Sequence, residues 1–175
     1  GWFTGRRDDS RGLGDWQVDA NVWPDGLRPL SDRVRGHGMA MGLWVEPEMV
    51  NLDSDVARAH PEWLLAPDRA GAGTRAWRRQ QVLDLTNDGA FSHVASNLDR
   101  VISEVGVDYI KWDHNRDLHE AVDQHGRAAV HTQTLAAYAL MAHVGAQHPG
   151  VEIESCASGG ARVDLGVLEH TQRVW

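Results

Sequence analysis

Short apolar runs alternate with helical stretches from one end of the 175-residue chain to the other, and that alternation limits the fold more than any other feature. GMAMGLWVE, residues 38 to 46, is apolar with turn signals on both sides and reads as a buried strand. Before it, Leu27, Leu30 and Val34 fall at helical spacing, and Gly36 and Gly38 lie past the expected stop. After it, DSDVARAHPEW reads as a short helix capped by Asp53 or Ser54, APDRAGAGTRA as a loop and QVLDLT as a second short strand. Phe91, Val94, Ala95, Leu98, Val101, Ile102 and Val105 mark one helical face, with Asn87 or Asp88 to cap its start. Gly106 stands where a left-handed residue closes such a helix and delivers the chain into VDYIKWD. A further helix from about Thr132 to Ala146, with Leu135, Tyr138 and Met141 on one stripe, ends before Pro149 and feeds VEIESCAS.

Strand and helix in regular order with short connections predict parallel strands joined by right-handed crossovers, in a doubly wound sheet or a (β/α)8 barrel. No strand leads into a phosphate-binding loop, since ASGGAR lacks both the GxGxxG spacing and the P-loop lysine. Polar residues gather instead at several strand ends: Glu46 and Glu48, Asp84, Lys111 and Asp113, Glu154 and Cys156. That distribution favours the TIM barrel, whose site is assembled from many strands at its C-terminal face. Five strands and a sixth beginning at residues 172–175, against about 250 residues for a whole barrel, predict an incomplete α/β barrel. About five to six of the eight βα units would be present, in one partial catalytic domain spanning residues 1–175. The abrupt ends, Gly1-Trp2-Phe3 and Arg173-Val174-Trp175, read as those of a fragment without its flanking domains.

A net charge of −8 with no Lys/Arg stripe argues against a nucleic-acid partner. The composition, 42% hydrophobic and 24% charged, holds no apolar run long enough to predict a membrane span. The single cysteine, Cys156, forbids an internal disulfide and, with no signal-peptide pattern at the start, predicts a cytoplasmic location. Ten histidines are present, yet none closes a strand as HxH or lies on a helix as HExxH, so no metal is expected. Of the eight tryptophans, most read as core packing.

VDYIKWDHNRD, residues 107 to 117, carries the chemistry. As a strand it puts Val107, Tyr109, Lys111 and Asp113 on one face and Ile110 and Trp112 on the other. Lys111 and Arg116 beside Asp113 would hold its carboxylate ionised, which suits a nucleophile better than a proton donor. A Lys–Asp ion pair that merely closes the strand end is the structural alternative. Lys111 as a Schiff-base amine is a second chemical reading, opposed by the aspartate that would keep it protonated. His114 is the one histidine at this site, and Glu46 and Glu48 read as buttresses of the strand end.

GLWVEPEMV, RRQQVLDLT, YIKWDHNR and ESCASGGARVDLG, in this order and at these distances, resemble the catalytic barrel of glycoside hydrolase family 36, the bacterial α-galactosidases. The opening GWFTGRRDDSRGLGDW resembles that family's first strand end, so the likeness covers nearly the whole chain. It implies a retaining hydrolase of melibiose- or raffinose-type galactosides, with a galactose-containing oligosaccharide as partner and no cofactor. Asp113 falls on the family's nucleophile, and Trp44, Arg78, Lys111, Cys156, Ser158 and Gly159 fall on positions that meet the sugar. Arg78 is set by aligning Val82-Leu83-Asp84-Leu85, with Arg79 one residue away. The family's acid/base aspartate would follow Trp175 and its galactose-binding aspartate pair would precede Gly1, so the fragment itself is expected to be inactive. Neither Glu154 nor Asp164 matches the acid/base position. α-N-acetylgalactosaminidase and galactosyl-transfer activities remain close alternatives, and a Schiff-base lyase or a non-catalytic sugar-binding protein more distant ones. Family members often assemble, which allows a homo-oligomer built through domains outside this chain.

Overall fold

The computed structural model describes residues 1–65, 77–118, 121–123 and 125–175, so the loop expected over residues 66–76 lies outside the described residues. Helix α1, Arg28–Gly36, opens with Pro29 in its first turn, where a missing N–H leaves no hydrogen bond unmade. It leads into β1, Gly42–Val45. The chain then turns over Glu46-Pro47-Glu48 into β2, Met49–Val50. Ser54 caps α2, Asp55–Ala59, by accepting the Ala57 N–H at 3.1 Å, and a single 3-10 turn, Pro61–Trp63, follows. Gln81–Val82 form β3.

The long helix α3, Asp88–Val105, starts at Asn87, whose side chain accepts the N–H groups of Gly89 and Ala90. It stops at Gly106, which lies in the left-handed region at φ 70°; a Cβ there would also sit 2.7 Å from Arg35 Nη1. Strand β4, Tyr109–Trp112, helix α4, Val130–Gln147, strand β5, Glu152–Ser155, helix α5, Leu165–Leu168, and strand β6, Arg173–Val174, complete the order.

β1, β4, β5 and β6 pair in that order as one parallel four-stranded sheet, with crossover helices between successive pairs. This is the wall of a (β/α) barrel and the class the sequence predicts. The strand inventory differs from expectation, because neither QVLDLT nor the opening GWF joins that wall. β3 pairs antiparallel with β2, Met49 opposite Val82, and Phe3 makes an isolated antiparallel bridge to Val18. The backbone around Leu83 is satisfied elsewhere: its N–H bonds Glu48 O at 2.9 Å, and Asp84 N–H bonds Trp63 O at 2.7 Å. Gln133 of α4, fully buried, donates Nε2 to Leu83 O at 2.8 Å and accepts Leu85 N–H at 2.9 Å. One amide side chain thereby stands in for a neighbouring strand.

The apolar face of α3 is buried as its periodicity predicts, through Val94, Ala95, Leu98, Val101, Ile102 and Val105, while Phe91 is half-buried at the rim. The stripe expected on α4 is displaced. Leu135 is exposed and Tyr138 half-buried, while Ala137, Leu140, Met141 and Val144 face the core. Apolar residues surround most of this helix, so spacing alone does not choose its inner face. Ile110 and Ile153 back onto the same core from the sheet. Among the described residues no helix is long and apolar enough to cross a membrane.

Replacing Gln133 with leucine should strand a buried carbonyl and a buried N–H on the Leu83–Leu85 segment. A loss of about 2–4 kcal/mol is expected, read as a lower urea midpoint at unchanged slope.

Candidate active site

The register of the sheet assembles the site. Trp44 lies opposite Lys111, and Lys111 opposite Glu154, so these three side chains form one rung across β1, β4 and β5. The ladder runs one residue further: Asp113 N–H bonds Val45 O at 2.8 Å and Cys156 N–H bonds Trp112 O at 2.7 Å. Continuing the pairing places Glu46, Asp113 and Cys156 on the rung above, at the C-terminal ends of the strands.

Asp113 is 7% exposed, and its carboxylate is met by neutral donors. Trp44 Nε1–H bonds Oδ2 at 2.9 Å, and the backbone N–H of His114 bonds Oδ1 at 3.0 Å. The Asn115 amide and the Cys156 thiol donate as well. Burial pushes the Asp113 carboxyl upward, but these donors outweigh it and hold the group below the usual carboxylate value. The direction agrees with the sequence-based expectation and the cause does not. Lys111 turns away to Glu154 Oε1, at 3.8 Å, with its Nζ 3.3 Å from the Trp175 ring centroid. Arg116 is buried and bonds Gln81 Oε1 at 3.3 Å. The Cys156 thiol is pushed up, first by its own burial and further by the carboxylate it faces, so it stays a protonated donor.

Two buried glutamates stand behind this rung. Glu48 accepts both Nη1 contacts of Arg162, at 2.7 and 2.9 Å, the Trp112 indole at 3.1 Å and His114 Nδ1 at 3.1 Å. Burial opposes its charge, but Arg162 and His114 more than offset that and hold it well below the ordinary range. Glu46 accepts the Asn115 N–H at 2.6 Å and Gln80 Nε2 at 3.0 Å, with no cation in contact among the described residues. Desolvation, aided by the neighbouring Asp113 charge, lifts Glu46 to about 7.

Of the residues singled out in the sequence, Trp44, Asp113 and Cys156 are brought into direct contact, with Lys111 one rung below. Ser158 and Gly159 lie in the tight turn after β5, both in the left-handed region, and Ser158 Oγ bonds Asn115 Oδ1 at 3.4 Å. Arg78 is exposed on the turn from Trp77 to Gln80, where it and Arg79 both have positive φ. Arg79 pairs with Asp9 at 3.6 Å, whereas Arg78 has no ion-pair partner among the described residues. Asp84 belongs to a turn, where its Oδ1 accepts Thr86 N–H, and Asp164 caps α5 and accepts Tyr138 OH.

Sequence reasoning missed Asn115, Gln80 and Arg6. Asn115 lies within the YIKWDHNR stretch, two residues after Asp113. Arg6 arrives from the N-terminal loop, its guanidinium 5.7 Å from the Trp44 ring centroid and 5.9 Å from that of Phe3, a placement that no local pattern announces. Among the described residues no group of three or more His, Cys, Asp or Glu side chains is arranged to hold a metal ion.

Arg162 Nε and Nη2 are buried without a partner among the described residues, so its charge depends on Glu48. Glu48→Gln should therefore cost about 3–5 kcal/mol at neutral pH. A carboxylate held below its unfolded value stabilises fully above that value, 4.5 here, and loses its effect as pH falls. The variant's deficit, measured by urea unfolding, should accordingly be smaller at pH 3 than at pH 7.

The melibiase family model matches residues 1–175. The chain is 45% identical to an α-galactosidase of Escherichia coli and 35% identical to α-galactosidase AgaA of Geobacillus stearothermophilus, over its full length and 24% of theirs. The crystal structure of an α-galactosidase from Lactobacillus brevis superposes with a TM-score of 0.91 at 38% identity, over all of this chain and 24% of that one. A variant of AgaA in complex with raffinose superposes with a TM-score of 0.92 at 34% identity, over all of this chain and 25% of that one. The chain thus spans about a quarter of the length of the relatives it matches. With a match along its entire length and a parallel sheet that superposes on these barrels, the chain belongs to the melibiase family, the α-galactosidases of glycoside hydrolase family 36.

Proposed function

We propose that this chain supplies the nucleophile and much of the galactose pocket of a retaining α-galactosidase. The observation that carries the reading is the environment of Asp113: a carboxylate at the mouth of the barrel, ionised by neutral hydrogen-bond donors. Such a group keeps a lone pair available to attack an anomeric carbon, where a tight salt bridge would occupy it. An Asp113 oxygen bonds to C1 of the galactosyl unit as the C1–O bond to the leaving group breaks, through an oxocarbenium-like transition state. The leaving oxygen takes a proton from a second carboxyl group, which later accepts a proton from the water that hydrolyses the galactosyl-enzyme. The resemblance assigns that second role to an aspartate following Trp175.

Trp44 offers an indole edge to Asp113 and a ring face to the pocket, Lys111 and Arg78 offer cationic donors to sugar hydroxyls, and Gly159 leaves room for the ring. Variants of AgaA form complexes with raffinose and with stachyose, and galactosides of that type are the substrates we infer here. The Schiff-base alternative is disfavoured by the contacts of Lys111, whose Nζ is engaged by Glu154 and the Trp175 ring.

The test compares the full-length protein with its Asp113→Asn variant on α-galactosyl fluoride, whose leaving group needs little help from an acid. Fluoride release by the wild type and a loss of at least about a thousandfold in the variant are expected. Equal rates would remove Asp113 from the nucleophile's role, and no release from a folded wild type would point to another sugar.

A further inference from the structure

Of the two buried glutamates of the site, neither of which the reaction uses, Glu46 is the one without a cation partner among the described residues. It is fully buried on the same rung as Asp113, and both its oxygens are committed. Oε1 accepts the backbone N–H of Asn115 at 2.6 Å; Oε2 accepts Gln80 Nε2 at 3.0 Å. Each bond reaches a different part of the site. The Asn115 side chain donates to Asp113, and its Oδ1 receives Ser158 Oγ at 3.4 Å. Gln80 closes the turn that displays Arg78, its own N–H bonding Trp77 O at 3.0 Å. A carboxylate serving only as a buttress would be matched by a cation, as Glu48 is by Arg162. Glu46 is left to hydrogen bonds alone.

We propose that Glu46 is a positioning residue that acts on Asp113 through Asn115, fixing the amide against the nucleophile and raising the nucleophile's basicity when Glu46 is charged. The proposal rests on the α-galactosidase reading and adds a role to that same site. The groups facing Glu46 are Asp113 and His114 from the end of β4 and Arg6 from the N-terminal loop. Its proton would be lost near pH 7, so the charge appears across the neutral range and not below it. A protonated Glu46 also has an acceptor at hand. Gln80 Oε1 is buried without a partner among the described residues, and rotating that amide presents it to the carboxyl O–H.

The reasoning fixes the sign. A negative charge beside Asp113 makes the anionic nucleophile less comfortable and more reactive, and it favours the positive charge that develops on the sugar. E46Q keeps the shape and the bond to Asn115 while removing the charge. In the full-length protein it should lower kcat on a nitrophenyl α-galactoside about tenfold, with KM within about twofold. The acid-side limb of the wild-type pH profile near 7 should vanish with it. A second readout does not need turnover: carboxyl-carbon NMR of Asp113. The wild-type signal should show an inflection near pH 7 as Glu46 titrates, absent in E46Q, where the Asp113 midpoint moves lower.

If the protein turns over no α-galactoside, the functional reading fails while the NMR titration still decides whether Glu46 governs Asp113. An inflection that survives E46Q has a source other than Glu46 and overturns the proposal, as does a variant with wild-type kcat and an unmoved midpoint. Should E46Q not fold, H114Q takes its place. An inflection that persists in H114Q supports Glu46, and one that disappears overturns it.

Discussion

Three carboxylates withdrawn from water at the ends of adjacent strands set the terms for everything around them. Glu46, Glu48 and Asp113 are each less than a tenth exposed, and an uncompensated charge there would cost several kcal/mol. Each is compensated differently. Glu48 takes a guanidinium, an imidazole and an indole, and in doing so pins the turn after β1 to the loop after β5. Asp113 takes neutral donors from three elements. Glu46 takes only an amide and a backbone N–H, which do not offset its burial and the nearby Asp113 charge, so its proton is held more tightly. The loops at this end of the sheet are shaped by the donors they must deliver.

Much of the fold was legible because its signals are local. α3 could be read with its cap, its face and its stop, since Asn87, the apolar series and Gly106 all act within a turn or two of their neighbours. β3 could not be placed, because an apolar run of its length says nothing about which backbone will satisfy it. β3 pairs with β2, and the residues just after it bond the Trp63 carbonyl and an amide of α4, 50 residues from Leu83 in sequence. The inner face of α4 was misjudged for a related reason. With apolar side chains nearly all round, small residues such as Ala137 win the core position where helix and sheet approach closely.

The site followed the same division. Asp113, Lys111 and Trp44 could be named from strand alternation and the family likeness, and parallel register brings them to neighbouring rungs. The expected source of the Asp113 charge was wrong because cations adjacent in sequence were taken as adjacent in space. Lys111 found a nearer carboxylate across the ladder in Glu154, and Arg116 was drawn inward to Gln81. Arg6 and Gln80 reach the site only through tertiary folding, one by stacking on Trp44 and the other through a bond to Glu46.

The contrast between Glu48 and Asp113 bears on why a glycosidase would arrange its carboxylates this way. A charge-assisted bond from a guanidinium is roughly twice as strong as one from a neutral donor, and a guanidinium clamped on both oxygens also takes up the lone pairs a nucleophile must offer. Glu48, so clamped, is inert and structural. Asp113 is kept ionised by an indole, an amide, a thiol and a backbone N–H, each of which could loosen if the carboxylate passed charge into a new bond, as its proposed role requires. Lys111 is held one rung lower, by Glu154 and the ring of Trp175, and so keeps its charge near the pocket without neutralising Asp113, the proposed nucleophile. Holding Lys111 two residues below the proposed nucleophile, and turning Arg116 inward to Gln81, is therefore as much a part of the site as the carboxylate itself.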